Sequence, residues 1–318
     1  MRILVAGGAG FIGSVLVPLL RNRDHEVTVA DLFWFGNHLP SEVPTMRGNL
    51  FELTEDDLAP FQQIIFLAGL SNDPMAEFSP AKNFIENGAL PSYLAYVAKA
   101  AGVERFVYAS SCSVYGFTDV TLADEESRVR CDYPYGISKL QGERGVLQLS
   151  AETFSTIALR QGTVVGYSPR MRFDLIVNTM FKTAFQTGCI TINNPNIWRP
   201  ILDVRDSAQA FLSAVDAASE VSGVYNVAYD NFTVGEIGER VAEAMKQLTG
   251  EPVTLDVKDI KDFRSYRVST ERARQILGFD PQYSVEEIVG NLYEKRHEYG
   301  DFSKEAFYNI EVFKQLGG

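Results

Sequence analysis

Tyr135 and Lys139 stand four residues apart in the stretch YPYGISK, and of the 14 tyrosines Tyr135 alone has a lysine at that distance. On a helix the two side chains share a face. An ammonium held beside a phenol favours the phenolate, so the spacing predicts a lowered tyrosine pKa suited to general acid–base work on a hydroxyl. A lone pair of this kind is equally a solvated helix face, so its surroundings decide. The segment VYASSCSVYG (107–116) begins as a buried strand and ends in polar groups where a connection would ordinarily carry Gly, Asn, Asp or Pro. Ser111 falls at the strand's end, where its hydroxyl could bridge the phenol and a substrate hydroxyl.

A second constellation is GGAGFIG (7–13), with Gly7, Gly10 and Gly13 at three-residue spacing around Phe11 and Ile12. Glycine permits a sharp turn and lets backbone N–H groups approach a pyrophosphate, while a following helix N-terminus attracts its charge. Asp31 ends the next strand-like run about 20 residues on, placed to accept both hydrogens of an adenosine ribose diol. A carboxylate there repels a 2′-phosphate, which favours NAD over NADP.

These groups need a scaffold, and the hydrophobic pattern supplies one. RILVAG (2–7), EVTVAD (26–31), QIIFLAG (63–69), RFVYAS (105–110) and FSTIALRQ (154–161) alternate with helical stretches, notably 81–101 and 133–151. Strands apolar on both faces, separated by helices, predict an α/β doubly wound parallel sheet of Rossmann type. Beyond about residue 165 the rhythm loosens into Pro-, Asn- and Arg-rich loops, resumes over 196–228 and loosens again. The expected organisation is a dinucleotide-binding domain of 1–165 plus 196–228, and a smaller substrate domain of 166–195 plus 229–318. Pro18 and Pro91 fall inside helical segments and are expected to break or kink them.

Composition narrows the functional classes. The 318 residues are 46% hydrophobic, enough for a large core, and the net charge of −12 argues against a nucleic-acid or anionic-membrane surface. No apolar run reaches the ~18 residues of a membrane span, and the N-terminus enters a strand directly, so a cytoplasmic protein is expected. Cys112, Cys131 and Cys189 show no CxxC spacing, and His25, His38 and His297 are scattered, so neither disulfides nor a metal site is indicated.

Together the glycine turn, Asp31, ASSCSVYG and YPYGISK resemble the extended short-chain dehydrogenase/reductase superfamily, specifically its NAD-dependent nucleotide-sugar epimerase and dehydratase families, over nearly the whole chain. The resemblance implies a catalytic triad of Ser111, Tyr135 and Lys139. It further implies cofactor contacts from Gly7, Gly10, Phe11, Ile12, Gly13 and Asp31, from Asn49 and Leu50 at the adenine, from Leu67, Ala68 and Gly69, and from Asn87 behind the nicotinamide. Phe66 replaces a usual His. In the 4,6-dehydratases the positions of Cys112 and Ser113 carry Asp and Glu, so that route lacks its carboxyls. Cys112 is counted among the candidate catalytic groups as a proton donor, against the competing expectation that it is a small buried filler. For the diphosphate of a nucleoside-diphosphate sugar the resemblance implies Asn178, Arg199 and Arg264, and Arg170 and Arg172 join them as local cations able to grip phosphate bidentately.

The expected reaction is transient oxidation of a sugar hydroxyl and return of the hydride to the other face, which is epimerisation, most commonly at carbon 4. A 4-ketoreductase or dehydrogenase, and a dehydratase using Cys112, are the alternatives within the enzyme class. A catalytically silent NAD sensor or scaffold is the alternative from another class, and it should have lost Tyr135 or Lys139. Segments 81–101 and 133–151 resemble those that form a four-helix homodimer interface in this superfamily.

Overall fold

The computed structural model describes residues 1–117, 122–259 and 264–317. Its strands, in chain order, are β1 (Arg2–Ala6), β2 (Glu26–Asp31), β3 (Thr45–Arg47), β4 (Gln63–Phe66), β5 (Arg105–Ser111), β6 (Ser155–Gln161), β7 (Thr163–Val165), β8 (Cys189–Asn193), β9 (Trp198–Asp203), β10 (Gly223–Val227), β11 (Asp230–Thr233) and β12 (Thr254–Lys258). Seven of them form a parallel sheet in the order β10-β6-β5-β4-β1-β2-β3. β4 and β6 are buried at every position, as strands covered on both faces must be. The helices Gly13–Arg21 and Val204–Asp216 cover one face through Leu16, Leu20, Phe211 and Val215, and Leu90–Ala100 covers the other through Leu94 and Ala98.

The chain leaves β1 for β2 and β3 on one side, then crosses back to β4, β5 and β6 on the other. The strand order therefore reverses between β1 and β4, and a crevice opens at the carboxyl ends there. Register matters at this edge. Phe66 pairs with Tyr108, so β5 runs three residues past the end of β4 and carries Ser111 to the rim opposite Gln161 of β6.

Pro18 does not stop its helix, whereas the segment expected to be helical over 81–101 is interrupted just before Pro91. Gly13–Arg21 continues through Pro18, which leaves unmade only the ladder bond its missing N–H would give to Ser14. Before Pro91 the chain makes one π turn, Ile85–Ala89, with the Leu90 N–H reaching back to Ile85 O, so Pro91 enters the first turn of a new helix where no partner is needed.

The other strands form two small sheets, β11-β9-β7 and β12-β8. In the C-terminal part the helices Ile176–Thr187, Val234–Thr249 and Val285–Glu294 enclose a second core in which Phe173 meets Tyr299, Phe302 and Phe307. β9 is the seam between the cores, with Leu202 in the first and Ile201 in the second. Among the described residues no helix is long and apolar enough to cross a membrane.

Candidate active site

The crevice holds a cavity of about 510 Å³ lined by the turns that follow β1 and β4, by residues of β2, β5, β6, β7 and β9, and by Arg264, Tyr266, Asn309 and Ile310 from the C-terminal part. The glycine turn forms part of its wall, and the three glycines do different work. Gly7 has φ +80°, and a Cβ there would stand 2.4 Å from Ala68 N, while a Cβ on Gly13 would stand 2.3 Å from Gly8 O. Both are fixed by packing within the protein. Gly10 would meet only Gly7 O, at 3.2 Å, so the space beyond it opens into the cavity with Phe11 and Ile12 beside it.

Asp31 lines the same cavity, accepting the Ala9 N–H at 2.9 Å and the Phe33 N–H at 2.7 Å. Burial raises its pKa, and those backbone bonds oppose the shift. Asn49 caps the short helix Leu50–Glu52 through the Phe51 N–H, and Asn49, Leu50, Leu67, Ala68 and Gly69 all line the wall. Asn87 does not. It is fully buried, donates to Leu70 O and Asn83 Oδ1 at 2.8 Å and accepts the Leu70 N–H at 2.9 Å. Its amide is spent in holding the Gly69–Leu70 turn, where Gly69 has φ +134° and no room for a Cβ, so Asn87 shapes the cavity wall without entering it.

Ser111, Tyr135 and Lys139 meet at the middle of the rim, Tyr135 and Lys139 on the helix Pro134–Leu147. The Ser111 hydroxyl hydrogen-bonds the phenol, which favours the phenolate, but burial and the charge of Asp73 push the Tyr135 pKa well above its ordinary value. The expected lowering by Lys139 is not the dominant effect here. The lysine donates to Ala109 O at 2.8 Å and lies 5.0 Å from the Tyr108 ring centroid, and burial lowers its own pKa to about 8. Desolvation sets the direction of the shift for both groups.

Of the remaining polar groups of VYASSCSVYG, Ser113 also lines the cavity, and the others brace it. Ser110 donates to Glu143 at 2.6 Å, and Glu143 takes a two-pronged grip from Arg160, at 2.9 and 2.6 Å, whose other nitrogen reaches Tyr115 at 2.8 Å. Cys112 must be corrected as a catalytic candidate. It is wholly buried in an apolar cluster with Val114, Tyr115 and Val268, its thiol donates to Arg160 O at 3.1 Å, and burial raises its pKa far above that of a proton-exchanging thiol.

Among the substrate candidates, Asn178 is also corrected. It is fully buried and braces the chain by accepting the Gly166 N–H and donating to Gly166 O and Arg172 O, all at 2.8 Å, so it presents nothing to the cavity. Arg199 and Arg264 do line the cavity, with Arg199 over Tyr266 and Arg264 ion-paired to Asp73. Arg172 lines it too, locked to Asp174 through two bonds of 2.8 and 2.9 Å. Arg170 is 2% exposed, stacks 3.7 Å from the Phe35 ring centroid and donates to Asn309, and it leaves Nε and Nη1 without a partner among the described residues.

The sequence reading missed Ser113, Tyr266, Gln161, Thr163, Asp73 and Asn309, all on the cavity wall. Gln161 ends β6 and Thr163 stands two residues on, at the start of β7, so the rule that ligands sit at strand carboxyl ends could have found them. Asn309 arrives from 139 residues beyond Arg170, and no local signal marks it. The residues present suit a dinucleotide: an open glycine turn, a cavity-lining carboxylate at the end of β2 and a buried arginine with two nitrogens unpartnered among the described residues. Among the described residues no group of three or more His, Cys, Asp or Glu could hold a metal.

Comparison with known proteins agrees with this geometry. Residues 3–228 match the model of the NAD dependent epimerase/dehydratase family. The UDP-glucose 4-epimerase of Corynebacterium glutamicum is 24% identical, over 96% of this chain and 99% of its own. UDP-glucuronic acid decarboxylase 6 of Arabidopsis thaliana is 27% identical, over 90% and 86%. Among solved structures, MoeE5 in complex with UDP-glucuronic acid and NAD superposes with a TM-score of 0.81 at 28% identity, covering 94% of this chain and all of that one.

Proposed function

Because the chain belongs to the NAD-dependent epimerase/dehydratase family, we propose that it interconverts uridine diphosphate sugars by epimerisation at carbon 4. NAD, held against the glycine turn and Asp31, supplies the acceptor and donor of the sugar's hydride. Tyr135 as phenolate takes the proton of the 4-hydroxyl and returns it after the keto-sugar has turned over, Ser111 steadies both oxygens, and Lys139 balances the charge. Burial raises the pKa of the phenol, so Ser111 and Lys139 have to offset that cost for the phenolate to form. Arg199 and Arg264 hold the diphosphate of the sugar nucleotide, and the ion pair of Arg264 with Asp73 makes room for it by exchanging partners.

One observation carries the choice of epimerase over dehydratase. Ser111, Tyr135 and Lys139 share a cavity with the glycine turn, yet the two positions beside Ser111 give it no acid–base pair for elimination, since Cys112 is buried and Ser113 has only a hydroxyl. The curated relatives named above, and MoeE5 with its UDP-glucuronic acid, support a uridine diphosphate sugar as substrate.

The catalytic assembly is read as a dinucleotide domain, 1–165 plus 196–228, against a nucleotide-sugar domain, 166–195 plus 229–318, in a cytoplasmic homodimer. Ile85, Tyr93 and Tyr96, which are 47%, 40% and 63% exposed along the segment that resembles the family's dimer helix, support the association. The testing experiment incubates the protein with UDP-glucose, UDP-galactose and UDP-glucuronic acid and follows carbon-4 stereochemistry by NMR, with absorbance at the reduced-nicotinamide band. Inverted product without net reduced NAD supports the reading. Stoichiometric reduced NAD, or a keto-sugar as the final product, contradicts it.

A further inference from the structure

Two arginines two residues apart line the cavity, and their surroundings differ. Arg172 faces a carboxylate across two parallel bonds, so its charge is already met. Arg170 has no carboxylate bonded to it among the described residues. Its guanidinium lies flat on Phe35, one nitrogen donates to Asn309, and Nε and Nη1 are buried with no acceptor among the described residues. A buried cation with idle donors is costly unless something anionic and hydrogen-bonding fills the gap. Burial, with the charge of Arg172 nearby, lowers its pKa to about 9, which fits a cation waiting for its counter-charge.

Position says which anion. Phe35 belongs to the loop leaving β2 just after Asp31, and the charges of Arg170 and Asp31 are near enough to influence each other. Ser168, two residues before Arg170, donates to Phe11 O at 2.7 Å and so pins this segment onto the glycine turn. Asp31 itself does not satisfy Arg170, since its oxygens accept Ala9 and Phe33. The idle donors are thus at the dinucleotide end of the cavity, whereas Arg199 and Arg264 stand beside Tyr266 and Tyr133 at the other.

We propose that Arg170 is a cofactor residue: its Nε and Nη1 would hold the pyrophosphate of the dinucleotide. This replaces the expectation that it serves the sugar diphosphate, and it rests on the dinucleotide reading of the cavity, not on the sugar reaction. Asn309 is the positioning residue. It orients the guanidinium and is itself held by Ser71, to which it donates at 2.7 Å, so the C-terminal segment completes the cofactor site.

The test measures ligand binding by the full chain as wild type, Arg170→Met and Arg170→Lys. ADP-ribose is titrated calorimetrically into protein stripped of nucleotide, adenosine is followed by ligand-observed NMR, and UDP is titrated into NAD-saturated protein. Arg170→Met should weaken ADP-ribose about tenfold or more, the loss of charge-assisted bonds, and leave adenosine and UDP unchanged. Arg170→Lys, which keeps the charge without the fork, should lose less, and it carries the test alone if the methionine variant lacks the wild-type far-UV dichroism. Weakened UDP with ADP-ribose intact in either variant overturns the assignment and returns Arg170 to the sugar nucleotide. Wild-type protein that binds neither NAD nor ADP-ribose overturns the dinucleotide reading together with this one.

Discussion

At the scale of single residues, each position in the site serves either a ligand or the protein's own packing, and substitutions separate the two. Tyr135→Phe should keep the fold and NAD binding and lose about 10²-fold or more in turnover; steady-state kinetics with near-wild-type turnover would remove it from the mechanism. The glycines divide similarly. Gly7→Ala, strained at φ +80° and pressed on Ala68, should cost about 2 kcal/mol or more. Gly10→Ala should melt near the wild type and bind NAD poorly. Equal destabilisation of the two with NAD binding intact would contradict the division. Lys139 offers a pH test. Its folded pKa of about 8 lies below that of the unfolded chain, so between roughly pH 8 and 10 the unfolded state binds a proton that the folded state does not, and stability rises with pH. Melting temperatures of the cofactor-free wild type should therefore gain on those of Lys139→Met from pH 7.5 to 9.5; a constant difference would refute the shift. Tyr135, Lys139, Ser111 and Asp31 were legible because their types and spacing are local. The buried filler expected at Cys112 was legible too, while the fate of Asn178 was not, because its burial is decided by segments far away in sequence.

At the scale of elements, the parallel strands were readable from their apolar runs, and the short ones were not. β3, β7 and β8 have three to five residues and partly exposed patterns, too brief for periodicity to announce. The π turn Ile85–Ala89 was equally hidden, since its cause is the conjunction of Pro91 with Asn87 facing the Gly69 turn. That conjunction makes a prediction. Asn87→Ala removes four buried hydrogen bonds and leaves the Leu70 N–H and C=O without this partner, each worth about 1–3 kcal/mol. The variant should melt several degrees lower and hold NAD less tightly. An unchanged melting temperature, read by calorimetry, would mean that the turn does not depend on this amide.

At the scale of the whole molecule, doubly wound topology was implied by the alternation of elements, and the topology in turn fixed the crevice between β1 and β4 where the dispersed residues meet. What the sequence withheld was the arrival of remote segments, such as Asn309 beside Arg170, because nothing local records which parts of a chain will close on one another. Association belongs here too: light scattering should give a dimer of the 35.4 kDa chain, and Tyr96→Glu should shift it towards monomer. A wild type that is monomeric at micromolar concentration would remove the dimer from the account. The central claim is that one hydride leaves carbon 4 and returns to it on the same enzyme-bound cofactor. The direct measurement uses UDP-glucose deuterated at carbon 4 and NMR of the product. The account predicts UDP-galactose that keeps its deuterium, with no reduced NAD accumulating; product that has exchanged the label for solvent hydrogen would contradict it.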